Sequence, residues 1–113
     1  MYIDALRPWG RFQQYTENES TTVKIITVNP REKLSVQRHK NRDELWIALD
    51  GGLITHLNGE QRVLHKGAEC YIPRNSIHSI ENELRQPARF LEIAFGHFDE
   101  DDIERLEDKY GRA

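Results

Sequence analysis

The feature that most constrains this chain is a succession of short apolar or alternating segments, each closed within a few residues by a turn signal. Val23 to Val28 is β-branched and ends at Asn29-Pro30; Leu34 to His39 alternates; Glu44 to Leu49 stops at Asp50-Gly51-Gly52. Leu53 to Leu57 and Glu60 to Leu64 flank Asn58-Gly59, Cys70 to Ile72 ends at Pro73, and Ile77 to Ile80 and Ala88 to Phe95 supply two more strands. Strands this closely spaced favour an antiparallel sandwich or barrel, because parallel strands need long crossovers. Asn-Gly between alternating runs predicts a hairpin in which both turn residues take positive φ. Only the end of the chain reads as helix. Asp99 suits its cap, Glu100, Asp101 and Asp102 suit the positive end of the helix dipole, Ile103, Leu106 and Tyr110 share a face, and Gly111 is a stop. The expectation is one all-β domain over 1–113, a barrel with a short C-terminal α-helix.

At 113 residues the chain supports a single core. Its 16 basic and 19 acidic residues give a net charge of −3, which is no general footprint for nucleic acid. The lone Cys70 excludes a disulfide framework or a Cys-rich zinc or iron–sulfur site within the chain. No apolar run approaches the ~20 residues of a membrane span. Met1 to Gly10 lacks the apolar centre of a secretion signal. A soluble protein of the reducing cytoplasm, with no nucleic-acid or membrane partner, is expected.

The chemistry lies in four polar residues. Gln37 and His39 are two apart on a strand, so alternation aims both at one side. Glu44 opens the next strand, where a turn can return its carboxylate to the imidazole, and His78 lies on a later strand that Pro73 introduces. Two imidazoles, a carboxylate and an amide oxygen form a mixed nitrogen and oxygen donor set, suited to Zn, Mn, Fe, Co or Ni with an open catalytic position. Trp46 reads as core, with Trp9 at the barrel mouth. Cys70 reads as a small buried hydrophobe, His65 as exposed and His97 as a loop residue.

Two stretches carry a resemblance. The first runs from His39 through Asn41 and Glu44 to Gly51; the second runs from Gly67 through Pro73 and His78 to Asn82, with Asn75 in place of a glycine. Both resemble the paired motifs of the cupin superfamily, whose fold is a double-stranded β-helix or jelly-roll barrel. Arg7-Pro8-Trp9-Gly10, Leu34 to Gln37, Arg42 with Glu44 and Trp46, Tyr71-Ile72-Pro73, Ile77-His78 and Glu100 to Arg112 resemble the type II mannose-6-phosphate isomerases. In that family the cupin often follows a GDP-mannose pyrophosphorylase domain. A stand-alone isomerase-type cupin is expected here.

The resemblance implies a divalent metal held by Gln37, His39, Glu44 and His78, with Zn first among the candidates. It implies aldose–ketose isomerisation of a sugar phosphate, mannose 6-phosphate or fructose 6-phosphate, through a cis-enediolate. Lys40, Asp43, His56 and Glu44 are the open choices for the base. Arg7, Lys33, Arg42, Arg74 and Arg112 are the candidates for the phosphate, since an Arg can hold phosphate oxygens in pairs, with Arg42 foremost because it sits between two proposed ligands and matches the family motif. Arg42, Glu44 and Lys40 are therefore read as catalytic. The chain departs from the family where three histidines become His39-Lys40-Asn41, where Glu-His-Trp becomes Glu44-Leu45-Trp46, and where a glycine becomes Arg31. These departures keep in view a non-catalytic cupin that binds a sugar or sugar nucleotide, and a different metal-dependent cupin enzyme, such as an iron oxygenase, is a third reading. Exposed sheet edges need cover, so a homodimer is expected.

Overall fold

The computed structural model describes residues 3–107, and these form eleven strands and no helix. A hairpin of β1 (Ile3–Arg7) and β2 (Gly10–Gln14) stands as its own two-stranded sheet. The body is a pair of antiparallel sheets. One contains β3 (Thr21–Val28), β10 (Ala88–Gly96), β5 (Arg42–Ala48) and β8 (Glu69–Ile72), in that order. The other contains β11 (Glu104–Glu107), β4 (Val36–Arg38), β9 (His78–Glu81), β6 (Ile54–Leu57) and β7 (Glu60–Val63). The Asn58-Gly59 turn between β6 and β7 takes φ of 48° and 86°, as a two-residue hairpin with both turn residues left-handed requires.

Cross-strand register gives the first sheet a graded inner face. Phe90 pairs with Ile26 and Ala48, and Ala88 pairs with Val28, so one end is apolar. One step along, Glu92 pairs with Lys24 and Trp46; the next step pairs Ala94 with Glu44. The same face thus changes from apolar to charged within two residues on three strands. At the apolar end Trp46, Phe90, Leu53, Leu64, Ile72 and Ile80 are each no more than 1% exposed, and the Trp46 and Phe90 rings lie 5.1 Å apart. At the charged end the same pleat opens the candidate site.

Asn82 closes the second motif and is structural. Its buried Nδ2 donates to the carbonyls of Val28 and Gln86 at 3.0 and 2.8 Å, and its Oδ1 accepts from the Leu84 N–H at 2.8 Å. Asn82→Ala leaves these groups without partners and should cost about 3 kcal/mol in urea unfolding.

The C-terminal helix is corrected by the structure. Asp99 does start a turn, since its side chain and carbonyl accept from the N–H groups of Asp101 and Asp102 at 2.9 and 3.0 Å. The chain then extends into β11, where Glu104 pairs with Arg38 and Arg105 with Gln37. Without β11, β4 would be a bare sheet edge, and that pairing outweighs local helix preference. Tyr110, Gly111 and Arg112 lie outside the described residues. Arg31 and Asn75, which replace glycines of the resembled motifs, take φ of 64° and 66°, so the backbone keeps the glycine conformation at both.

Candidate metal centre

His39, Glu44 and His78 arrive from three places in the chain and offer one donor atom each, all within 4.8 Å of one another. All three are buried, at 2–3% exposure. Glu44 stands on the charged end of β5. His78 opens β9 opposite Gln37 of β4. His39 sits on the turn between β4 and β5, and that turn is clamped from both sides. The Asn75 N–H donates to the His39 carbonyl at 2.6 Å, while Asp102 accepts from the N–H groups of Lys40 and Asn41 at 3.0 and 2.9 Å. Asp102, read from sequence as suited to the positive end of a helix dipole, is instead the latch of this turn.

Both imidazoles are oriented from behind. His39 Nδ1 donates to the Asp102 carbonyl at 2.7 Å, and His78 Nδ1 donates to the Ser76 carbonyl at 3.0 Å. Each ring is thereby left with Nε2 as the lone-pair atom, the tautomer a metal ligand needs. His39 Nε2 lies 3.5 Å from Glu44 Oε2. Burial lowers the pKa of both rings, which keeps them neutral. The Trp46 indole N–H donates to Glu44 Oε1 at 3.0 Å and fixes the carboxylate plane. The Gln37 amide nitrogen donates to Ser35 at 3.2 and 3.3 Å, so its oxygen is the atom it can turn toward an ion. Two imidazoles, a carboxylate and an amide oxygen on the wall of one cavity fit a divalent metal.

That cavity has a volume of about 150 Å³. Gln37, His39, Arg42, Glu44 and His78 line it, together with three residues the sequence reading passed over: Lys24, Glu92 and Arg105. Glu92 is 7% exposed. Burial first, and the charge of Glu44 second, push its carboxyl up to about 7. Lys24 and Glu92 each stand in the inward register of an apolar strand, which the assembled sheets reveal.

The other candidates lie elsewhere. Lys40 is exposed and lines a separate depression with Asp101 and Asp102. Asp43 accepts from the Arg74 N–H at 2.6 Å and pairs with its guanidinium at 3.3 Å. Burial would raise the Asp43 carboxyl, but these Arg74 contacts hold it below its ordinary value. His56 pairs with Glu81 at 2.9 Å beside a second cavity, which Lys33 also lines; Lys33 pairs with Glu107 at 3.2 Å. Arg7 is exposed on the hairpin, with its guanidinium 5.0 Å from the Phe12 ring. Trp9 is 73% exposed, whereas Trp46 is 1% exposed.

The comparisons with known proteins show the family and the fold. A profile described as "Mannose-6-phosphate isomerase C-terminal" matches residues 1–108. The chain belongs to that family. Mannose-1-phosphate guanylyltransferase ManC of Salmonella typhimurium is 39% identical over 114 residues, covering 100% of this chain and 24% of that protein. Alginate biosynthesis protein AlgA of Pseudomonas aeruginosa is 37% identical over 113 residues, covering 99% and 24%. The chain therefore spans about a quarter of the length of these curated relatives. Among solved structures, a double-stranded β-helix protein of Klebsiella pneumoniae superposes with TM-score 0.68 at 16% identity, over 95% of this chain and 85% of that one. The capsular polysaccharide assembling protein CapF of Staphylococcus aureus gives 0.71 at 16%, over 96% and 35%. These likenesses establish the cupin fold. No helix among the described residues is long and apolar enough to cross a membrane.

Proposed function

We propose that this family member is a metal-dependent aldose–ketose isomerase acting on a sugar phosphate of the mannose 6-phosphate and fructose 6-phosphate type. The observation that carries the reading is the convergence of His39, Glu44 and His78 in a cavity that also holds cations and a carboxyl pushed up to about 7. His39, Glu44, His78 and Gln37 would hold the ion. When bound, it supplies Lewis-acid stabilisation of the negative charge that builds on the sugar oxygens. Glu92, buried on the wall of the same cavity, takes the proton from C2 and returns it to C1, acting as base and then as acid. Lys24, Arg42 and Arg105 offer the phosphate its positive charge.

The departures from the family do not reach this cavity. Lys40 and Asn41 are exposed on the turn, and Leu45, between Glu44 and Trp46 on β5, takes the opposite face of its strand. This supports an active enzyme over a sugar-binding cupin without turnover. The test is a coupled assay with mannose 6-phosphate on protein stripped with EDTA and reloaded with Zn²⁺ or Mn²⁺. Turnover should vanish on stripping and return on reloading. Ligand-induced stabilisation without turnover in any metal would establish the binding role instead.

A further inference from the structure

We propose that Arg42 is a built-in competitor for the metal, its guanidinium holding the donor atoms of His39 and Glu44 so that an ion enters only as Arg42 is displaced from them. The inference rests on the metal-centre reading above. Arg42 Nε donates to Glu44 Oε2 at 3.0 Å, and Nη2 donates to His39 Nε2 at 3.3 Å. These acceptors are two of the candidate ligand atoms, 3.5 Å apart. A donor N–H and a metal ion need the same lone pairs, and a bound ion sits only about 2.0–2.2 Å from each ligand atom. In a buried site a guanidinium in contact with a divalent ion is also strongly repelled. Arg42 is 7% exposed, so little water screens that repulsion.

Arg42 has an anchor that does not involve the ligands. Nη1 donates to the Asp99 carbonyl at 3.0 Å, and the guanidinium carbon lies 4.6 Å from the centre of the Phe98 ring. Displacement is therefore a rotation about the Asp99 and Phe98 contacts, with no need for the side chain to leave the cavity. Until then the guanidinium neutralises the buried Glu44 carboxylate. The planar fork of an arginine can bridge two acceptors in this way, whereas a lysine presents a single point charge.

The opposite role, in which Arg42 braces the ligands for the ion, predicts the opposite result. Zn²⁺ affinity is measured by competition with a chromophoric chelator on EDTA-stripped wild type, Arg42→Gln and Arg42→Met. Both variants should bind Zn²⁺ at least about tenfold more tightly than wild type, within the range by which contacting groups couple. Without metal their Tm should lie below that of wild type, and Zn²⁺ should narrow the gap. Stoichiometric uptake by wild type with equal or weaker uptake by the variants overturns the competition and leaves the metal-centre reading standing. No uptake by any of the three overturns both. If neither variant folds, wild type decides. Its Arg42 Nε–H resonance should shift on adding one equivalent of Zn²⁺, and an unchanged resonance at full uptake overturns the proposal.

Discussion

Glu92→Gln is expected to lower kcat for the sugar phosphate by about 10²- to 10⁴-fold while Zn²⁺ still binds at wild-type stoichiometry. Glutamine keeps the shape and loses the proton-transferring group. Glu92 stands in the inward register of β10, opposite Lys24 and Trp46, on the wall of the cavity that the ligand residues line. It is not one of the three clustered donors, so its removal separates proton transfer from metal binding. A variant that turns over at the wild-type rate would show that the proton travels by another group.

The same substitution has a pH signature. In metal-stripped protein, burial and then the charge of Glu44 push the Glu92 carboxyl from 4.5 up to about 7. Between those values the folded chain holds a proton that the unfolded chain has released. The stability this gives is complete below about 4.5 and is lost as pH rises through about 7. Glu92→Gln should remove that slope, on the order of 2–3 kcal/mol across the window. Urea unfolding at pH 4.5 and at pH 8 measures it. Equal slopes in both proteins would place the titration elsewhere.

What could be read in the chain depended on how local the deciding interaction was. The Asn58-Gly59 hairpin was legible because two turn residues and the alternating runs beside them decide it together. The meeting of His39 with Glu44 was legible because one turn separates them; that of His78 with both came from motif spacing. The β1–β2 hairpin was missed, since its first strand mixes Asp4 and Arg7 with only scattered apolar residues. The C-terminal strand was missed because Asp99 to Asp102 satisfy the local rules of a helix start. What decides that segment is pairing with β4, more than sixty residues away. The cations were misplaced for a related reason. Arg7, Lys33 and Arg74 belong to motifs, but the face each one takes is a property of the assembled sheets, and all three settle outside the cavity. Lys24 and Glu92 become conspicuous only once Ile26, Val28, Phe90 and Ala88 are known to face inward, because a charge in that register needs a purpose.

His78→Ala should abolish stoichiometric Zn²⁺ uptake, with affinity falling by more than about 100-fold, since altering even the groups behind a metal ligand costs 10- to 100-fold. His78 is 2% exposed, its ring meets Trp46 edge-on at 5.6 Å, and its Nδ1 is held by Ser76, so its Nε2 is fixed in place as a donor. Removing the ring also empties packing space beside Trp46, so the variant is compared with His78→Gln, which keeps more of the volume. Both should lose turnover, and both should lose the rise in Tm that Zn²⁺ gives wild type. That rise should itself shrink in wild type as pH falls. Burial depresses both imidazoles, so the folded chain resists protonation while the unfolded chain takes up protons below 6.5. Metal uptake requires the neutral rings and releases any protons they carry. Acid therefore weakens the fold below 6.5, and weakens Zn²⁺ binding at a lower pH where the depressed rings of the folded chain take protons, both in the direction opposite to the Glu92 slope. A Zn²⁺-dependent Tm shift that survives in His78→Ala, or that grows as pH falls below 6.5, would place the ion somewhere other than between these two strands and the turn that carries His39.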